Sequence, residues 1–282
     1  MASMSKPPKH CMFCGQTGQM TKEHAWPQWL GAGIRVAPIQ STRTIGFGRV
    51  AGDVMREKPN LLVHKSGSVL TARVREVCAS CNNGWMSRLE TEVVPLLDRL
   101  WMPAYPFGRT SLNEKQAATV ATWATKTAWV RELVDQPGLT STPEMRLQLM
   151  QTLHPPEFTS VWFARHQGLS NFAAYVAQID AARADEPWDT TNVRRVLICT
   201  MAFRGLAITV RTDSDWGVPQ MELPQLIWTR FWPTDGSVQW PPPQPAGDAD
   251  VRTPAAHHTR WLNLPAGQFE RNHEGWQVRR RN

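Results

Sequence analysis

Four of the five cysteines in this 282-residue chain stand in two C-x2-C pairs, Cys11 and Cys14 in CMFC and Cys78 and Cys81 in CASC. At each pair the chain bends two thiolates back toward one point, so together they supply four sulfur ligands for a tetrahedral Zn2+. The alternatives are coincidence or a redox pair, but in an intracellular chain of this size such spacing reads as metal ligation rather than disulfides. A zinc closed by four thiolates has no open position and cannot hydrolyse anything, so catalysis would need a second centre. Candidates for one lie close by in sequence. TKEHAWP sets Glu23 beside His24 after the first pair, and CNNGW sets Asn82, then Asn83, directly after the last cysteine. One imidazole, one carboxylate and one amide oxygen are what phosphodiester hydrolysis asks for: a base for water, and oxygen ligands for a hard cation that stabilises the departing oxyanion.

Each residue also has a plainer explanation. His24 can be a histidine hydrogen-bonded within the zinc turn, and Asn82 can cap the helix expected to begin there. Trp26, Trp29 and Trp85 are candidates for base stacking, but tryptophans near a small metal module more often fill its core. Lys22, Arg73, Arg75 and Arg88 are candidate phosphate contacts, with a solvated basic face as the alternative. His154 and His166 have no partner visible in sequence and read as structural or surface residues. Cys199, in the apolar run VLICTMAF, reads as a small buried hydrophobe.

The elements that must position these residues follow from patterning. STRTIGFGRV and SVLTARVREV are β-branched and alternating, which predicts strands, with GDVMREKPN between them as loop. After the second cysteine pair, Trp85, Leu89, Val93, Leu96, Leu97 and Leu100 fall at helical spacing, with a kink or break expected at Pro95. Ser111 with Glu114 predicts a capping box for a helix through ELVD, along which Trp123, Thr127, Val130 and Leu133 share a face; Gly138 stops it. Ser141 with Glu144, and Pro143 at the first turn, predict the next helix. TSVWFARH, FAAYVAQI, VRRVLICTMAF and LAITVRT then read as strands. WPPPQPAGDADVRTPAAHH reads as an exposed linker or extended arm, with His257 and His258 solvated in it. No repeat of fixed period is present.

Apolar residues at 41% allow a sizeable core, and the net charge of +7 permits a polyanionic partner without requiring one; the only dense basic run is Arg279, Arg280 and Arg281. No apolar run is long enough for a membrane span, and the polar, basic opening MASMSKPPKH argues against a secretory leader, so a soluble cytoplasmic protein is expected.

In order and spacing these motifs resemble the HNH (His-Asn-His) endonucleases, in the zinc-stapled variant with an E-H pair and a final C-x-x-C-N known from phage and bacteria. The resemblance covers roughly the first hundred residues. It implies a treble-clef ββα-metal module with structural Zn2+ on Cys11, Cys14, Cys78 and Cys81, and His24 as general base. It further implies a catalytic Mg2+ or Mn2+ on Glu23 and Asn82, with Asn83 as alternate. Two positions depart from the family pattern. The middle asparagine that orients the base would fall near Arg73, and the position one turn beyond Asn82, a metal ligand in some members, is Met86.

The expected fold is therefore α+β: the HNH module over 1–103, a mixed α+β accessory domain over 104–240, and a Pro-rich linker with a basic tail over 241–282. The expected function is hydrolysis of nucleic-acid phosphodiesters, with DNA favoured over RNA by analogy alone. A homodimer would suit cutting of both strands. The rival readings are a zinc-dependent nucleic-acid-binding adaptor whose nuclease centre has decayed, and a zinc-stapled protein-interaction module.

Overall fold

The computed structural model describes residues 9–31, 43–50, 54–57, 72–101, 109–135, 139–169, 172–183, 194–214, 221–256, 269–272 and 275–278. The chain is α+β, with a cluster of four cysteines at its N-terminal end. His257, His258, Gly138 and the Arg279–Arg281 run lie outside the described residues.

Strand β1 (Met20–His24) pairs antiparallel with β4 (Arg73–Cys78) as a separate two-stranded sheet, with Met20 opposite Cys78 and His24 opposite Arg73. The helical segment after β4 starts as α2 (Ala79–Cys81), passes through a wide π turn at 82–86, and continues as α3 (Ser87–Trp101). Gly84 leaves helical geometry inside that turn, so α2 and α3 meet at a kink. The kink falls here and not at Pro95, which lies within the continuous α3. Proline loses one hydrogen bond, but Leu89, Val93, Leu97 and Leu100 form a fully buried stripe that holds the helix against its neighbour.

That neighbour is α4 (Glu114–Asp135). Its cap is Asn113, two residues after the expected Ser111. Gln116 N donates to Asn113 Oδ1 at 2.9 Å and Asn113 N donates to Gln116 Oε1 at 3.1 Å, a reciprocal box built from amides. Ser111 instead lies in β5 (Thr110–Leu112), paired with β11 (Val238–Trp240). From Val120 to Glu132 every residue of α4 is buried, so the helix has no solvent face there and runs through the middle of the molecule. Helix α5 (Pro143–Thr152) is capped by Thr142, whose Oγ1 accepts from Met145 N at 3.3 Å, and not by the expected Ser141. Proline occupies the first turn as expected.

A nine-stranded sheet, in the order β10-β6-β9-β8-β7-β2-β3-β13-β12, covers the other side. The four strands expected from the second half are β6 (Thr159–Arg165), β7 (Phe172–Arg183), β8 (Arg194–Phe203) and β9 (Leu206–Asp213), and Cys199 is buried in β8. The strand expected near residue 45 is β2 (Arg43–Val50); it pairs parallel with β7. The expected loop after it carries a strand, β3 (Val54–Glu57). Residues 43–50 and 54–57 of the N-terminal region thus share a sheet with the second region. The hairpin of β12 (Phe269–Asn272) and β13 (Gly275–Val278) extends the same sheet from the C-terminal end, and β10 (Thr229–Trp232) closes the opposite edge.

The expected extended arm also differs. Asp248–Ala256 is a helix, α6, packed on β7 and β8 through buried Val251 and Ala255. Its start is fixed by Asp250, which accepts from Gly247 N at 2.8 Å, while Asp248 reaches His166 Nε2 at 3.0 Å and accepts from Leu169 N at 3.0 Å. Ala255, in the stretch whose composition suggested an arm, is a small helix-former packed in the core beside the sheet.

Within the core, Glu132 accepts hydrogen bonds from Thr140 N at 2.9 Å, Thr140 Oγ1 at 2.6 Å and Gln178 Nε2 at 3.0 Å. Burial nonetheless pushes its carboxyl up to about 7, with those hydrogen bonds pulling back only in part. A folded pKa above the unfolded value of 4.5 means the native state holds a proton that the unfolded chain has lost. The corresponding stability is complete below that lower value and declines as pH rises through about 7. Glu132→Gln should flatten this decline, so denaturation midpoints measured from about pH 5 to 8 should converge on the parent at the acid end and exceed it at the basic end. A parent midpoint independent of pH over that window would contradict this assignment.

Candidate functional site

The four cysteine sulfurs all lie within 4.8 Å of one another. A tetrahedral zinc with Zn–S near 2.3 Å places its sulfurs about 3.8 Å apart, and the Cys14–Cys78 pair stands at 3.7 Å. The donor set can hold a metal ion and is compatible with structural zinc. Local backbone geometry makes this possible. Gly15, with φ of +70, turns the first pair back on itself, and Gly15 N donates to Cys11 O at 2.9 Å. In the second pair Cys78 caps its own helix, accepting from Cys81 N at 3.4 Å, while Cys78 N donates to Cys11 Sγ at 3.4 Å. Burial works to raise the Cys78 thiol, yet the Cys81 N–H and the neighbouring thiols outweigh it and hold Cys78 at about 7. Cys81 goes the other way, raised by burial and by the charge of Cys11. The cluster is closed by the second region: Arg146 on α5 donates to Met12 O at 2.6 Å, and Met150 lies 3.8 Å from Cys81 Sγ.

Directly beside the cluster is an open cleft of about 430 Å³, lined by β1, α1 (Gln28–Gly31) and the π turn with the first turn of α3. Glu23, His24, Asn82 and Asn83 all line it, so residues separated by some sixty positions face one space. The reason is the cysteine cluster. Cys78 pairs across β1, and Asn82 follows Cys81 immediately, so β1 and the helix start are fixed to the same four sulfurs. Neighbouring strand residues point to opposite sides, which sends Glu23 inward and His24 outward. Glu23 is 8% exposed, and its carboxyl is raised by burial, against the pull of the Lys126 charge.

His24 Nε2 lies 2.8 Å from Arg73 Nε and 3.1 Å from the Gln28 amide nitrogen. A guanidinium only donates, so Nε2 is the unprotonated nitrogen and the ring proton sits on Nδ1. Burial lowers the His24 pKa, and the Arg73 charge lowers it further. Arg73 therefore occupies, across the strand pair, the place expected for an orienting asparagine, but offers a donor in place of an acceptor. Arg73→Ala should raise the His24 titration midpoint toward the ordinary imidazole value, as followed by imidazole 15N shifts in an NMR pH series. An unmoved midpoint would show that the guanidinium is not felt by the ring.

Asn82 donates through Nδ2 to Thr21 Oγ1 at 3.0 Å, which leaves Oδ1 as its group for accepting or ligating. Lys22 lines the cleft, whereas Arg75 and Arg88 are exposed but do not line it. Trp26 and Trp85 are core residues, edge-on to Phe172 and Phe13 at 5.2 and 5.0 Å, while Trp29 lines the cleft and packs near Trp101 and Trp123. His166 is bound to Asp248 far from the cleft in sequence, and His154 lies against Trp232.

Two charged residues at the cleft were not singled out from sequence. Glu90 lines it two helical turns after Asn82, on the face that Met86 shares. Lys126 of α4, 1% exposed, donates to Glu90 Oε1 at 2.7 Å and lies 3.9 Å from Glu23 Oε1. The available sign was a lone lysine in WATKTAWV, a helical stretch otherwise free of charge until Arg131.

No family model matches the chain, and no curated protein or solved structure is similar to it. Among the described residues no helix is long and apolar enough to cross a membrane.

Proposed function

We propose that this protein is a metal-dependent HNH-type endonuclease whose four cysteines hold structural Zn2+. The observation that carries the reading is the convergence of Glu23, His24 and Asn82 on one open cleft beside the cysteine cluster. The residues fit the chemistry. Glu23 and the Asn82 carbonyl oxygen, with Asn83 as alternate, form an oxygen donor set that suits Mg2+ or Mn2+. When bound, that cation would supply positive charge for the leaving 3′ oxygen.

The remaining work falls to the chain. His24 is the base that takes a proton from the attacking water. Its available lone pair, on Nε2, is covered by Arg73 in the free protein, so it becomes competent when Arg73 turns to an anion. A backbone phosphate is such an anion, and an arginine can grip it with two parallel hydrogen bonds. Phosphate binding by Arg73 and exposure of the base are then one event. Lys22, at the cleft wall, adds a second phosphate contact, while Arg75 and Arg88 extend the basic surface beyond it.

A second reading draws on one specific observation. If Arg73 and Gln28 never leave Nε2, the cleft binds nucleic acid without cutting it, and the protein is an adaptor with a silenced centre. Incubating purified zinc-loaded protein with supercoiled plasmid, single-stranded DNA and RNA, in Mg2+, Mn2+ or EDTA, separates the two. Divalent-dependent cutting is the expected result. Salt-sensitive binding with no cutting on any substrate would replace the nuclease by the adaptor, and absence of both would leave a zinc-stapled interaction module.

A further inference from the structure

A buried ammonium beside a proposed cation site is an unusual placement, because it repels the ion the site should attract. Lys126 is such a group. Its side chain is 2% exposed, and it reaches from α4 to Glu90 at 2.7 Å and Glu23 at 3.9 Å, both of which line the cleft. Glu90 binds the ammonium through Oε1, and its side chain stays 26% exposed, so its second oxygen remains for the cleft.

We propose that Lys126 is a positioning residue that pre-forms Glu23 and Glu90 as the anionic half of the divalent-cation site, with Glu90 as a further oxygen ligand beside Glu23 and Asn82. The inference rests on the cation-dependent reading of the cleft. Two carboxylates this near one another repel when both are ionised, and burial sharpens the repulsion. Lys126 offsets one of the two charges, so the pair can stand in the folded protein before any cation arrives. The charge count then suits an anionic substrate. Two carboxylates and one ammonium sum to a single negative charge, and a divalent cation turns the site net positive, which is what a phosphodiester needs to meet. Without Lys126 the loaded site would be neutral.

The arrangement predicts that a ligand-side loss and a lysine loss act in opposite directions. In zinc-loaded full-length protein, Mn2+ binding is read from the electron paramagnetic resonance signal of the free ion; Mn2+ does not compete for the thiolate site because soft sulfur ligands disfavour it. Lys126→Met should tighten Mn2+ binding at least tenfold, since a full positive charge a few ångström away is removed. Its thermal midpoint should fall without Mn2+ and recover with it by more than the parent's does. Lys126→Arg should restore parent-like binding, and Glu90→Gln should weaken it at least tenfold. If Lys126→Met does not fold, Lys126→Gln carries the same charge change with an amide that still donates to Glu90. Unchanged or weakened affinity on loss of the charge, unchanged affinity in Glu90→Gln, or no Mn2+ bound by any of the proteins would overturn the proposal. The readout is binding, so the two readings fail separately. A parent that shows this pattern but cuts nothing overturns the nuclease alone, and a parent that cuts with Mg2+ while Lys126→Met binds Mn2+ as before overturns this inference alone.

Discussion

Replacing His24 with alanine is expected to lower divalent-dependent cleavage by about 10²–10⁴-fold while leaving zinc content and thermal stability near the parent's. The size follows from the role. A positioned base contributes that much, and the residual rate comes from the cation and phosphate contacts that the substitution leaves in place. The sparing of stability follows from the site's construction: His24 projects from β1 into an open cleft and its partners there are the side chains of Arg73 and Gln28, neither of them core. Losing the imidazole leaves no buried donor or acceptor orphaned. Measured on one preparation, plasmid nicking rate, bound zinc and melting temperature decide the matter together. Cleavage at the parent rate by a folded His24→Ala protein would remove His24 from the mechanism and direct attention to other bases at the cleft.

What sequence made legible here is local, and what it missed is long-range. The cysteine pairs, the Glu23–His24 step and Asn82 are read from adjacency, because the chemistry of each depends on residues one to three positions apart. Most strands and helices of the second region are likewise written in short patterns. Cap positions missed by one or two residues, since Ser111, Asn113, Ser141 and Thr142 are all competent caps and tertiary pairing chose among them: Ser111 was taken by a strand, and Thr142 is the one whose hydroxyl meets an orphan N–H. The arm that became α6 was misread because composition was weighed against order, when Asp248 and Asp250 supplied the start of a helix and His166 a partner for it. Lys126 is the clearest case. Its partners Glu23 and Glu90 lie 103 and 36 residues before it in the chain, and only folding brings the helix that carries it beneath the cleft. The first hundred residues therefore hold the cysteine cluster and the lining of the cleft, but not the lysine buried beneath it.

The same dependence predicts the largest single loss. Cys81→Ser, or removal of the metal by a strong chelator, should cost the protein its cleft as well as its ion. Structural zinc in small modules contributes about 10–16 kcal/mol of apparent binding free energy, comparable with the whole stability of a domain, about 5–15 kcal/mol. Here the cluster joins three segments, the turn of Cys11 to Cys14, the β1–β4 pair through Cys78, and the helix start through Cys81. It works beside the Met12 N–Glu76 O and Ala79 N–Gln19 O hydrogen bonds and the Phe13–Trp85 ring contact. Without the cluster, Asn82 is tied to β1 through side chains, by its hydrogen bond to Thr21 Oγ1 at 3.0 Å and its hydrogen bond with Glu23. Far-ultraviolet circular dichroism, metal content and proteolysis of the region before residue 101 should change together in Cys81→Ser, with cleavage lost at every Mg2+ concentration. The nine-stranded sheet, held by its own ladder of strand pairs, and α4, packed on it, should keep their secondary structure even though their core runs on to Cys11, Cys78 and Cys81. Acid should act in the same direction as the chelator, since thiols must be deprotonated to bind: metal affinity should fall as pH drops and protons compete for the four sulfurs. A Cys81→Ser protein that retains both metal and cleavage would show that three thiolates suffice and that the cleft is held by its contacts to the second region, through Arg146 and Lys126, rather than by the cluster itself.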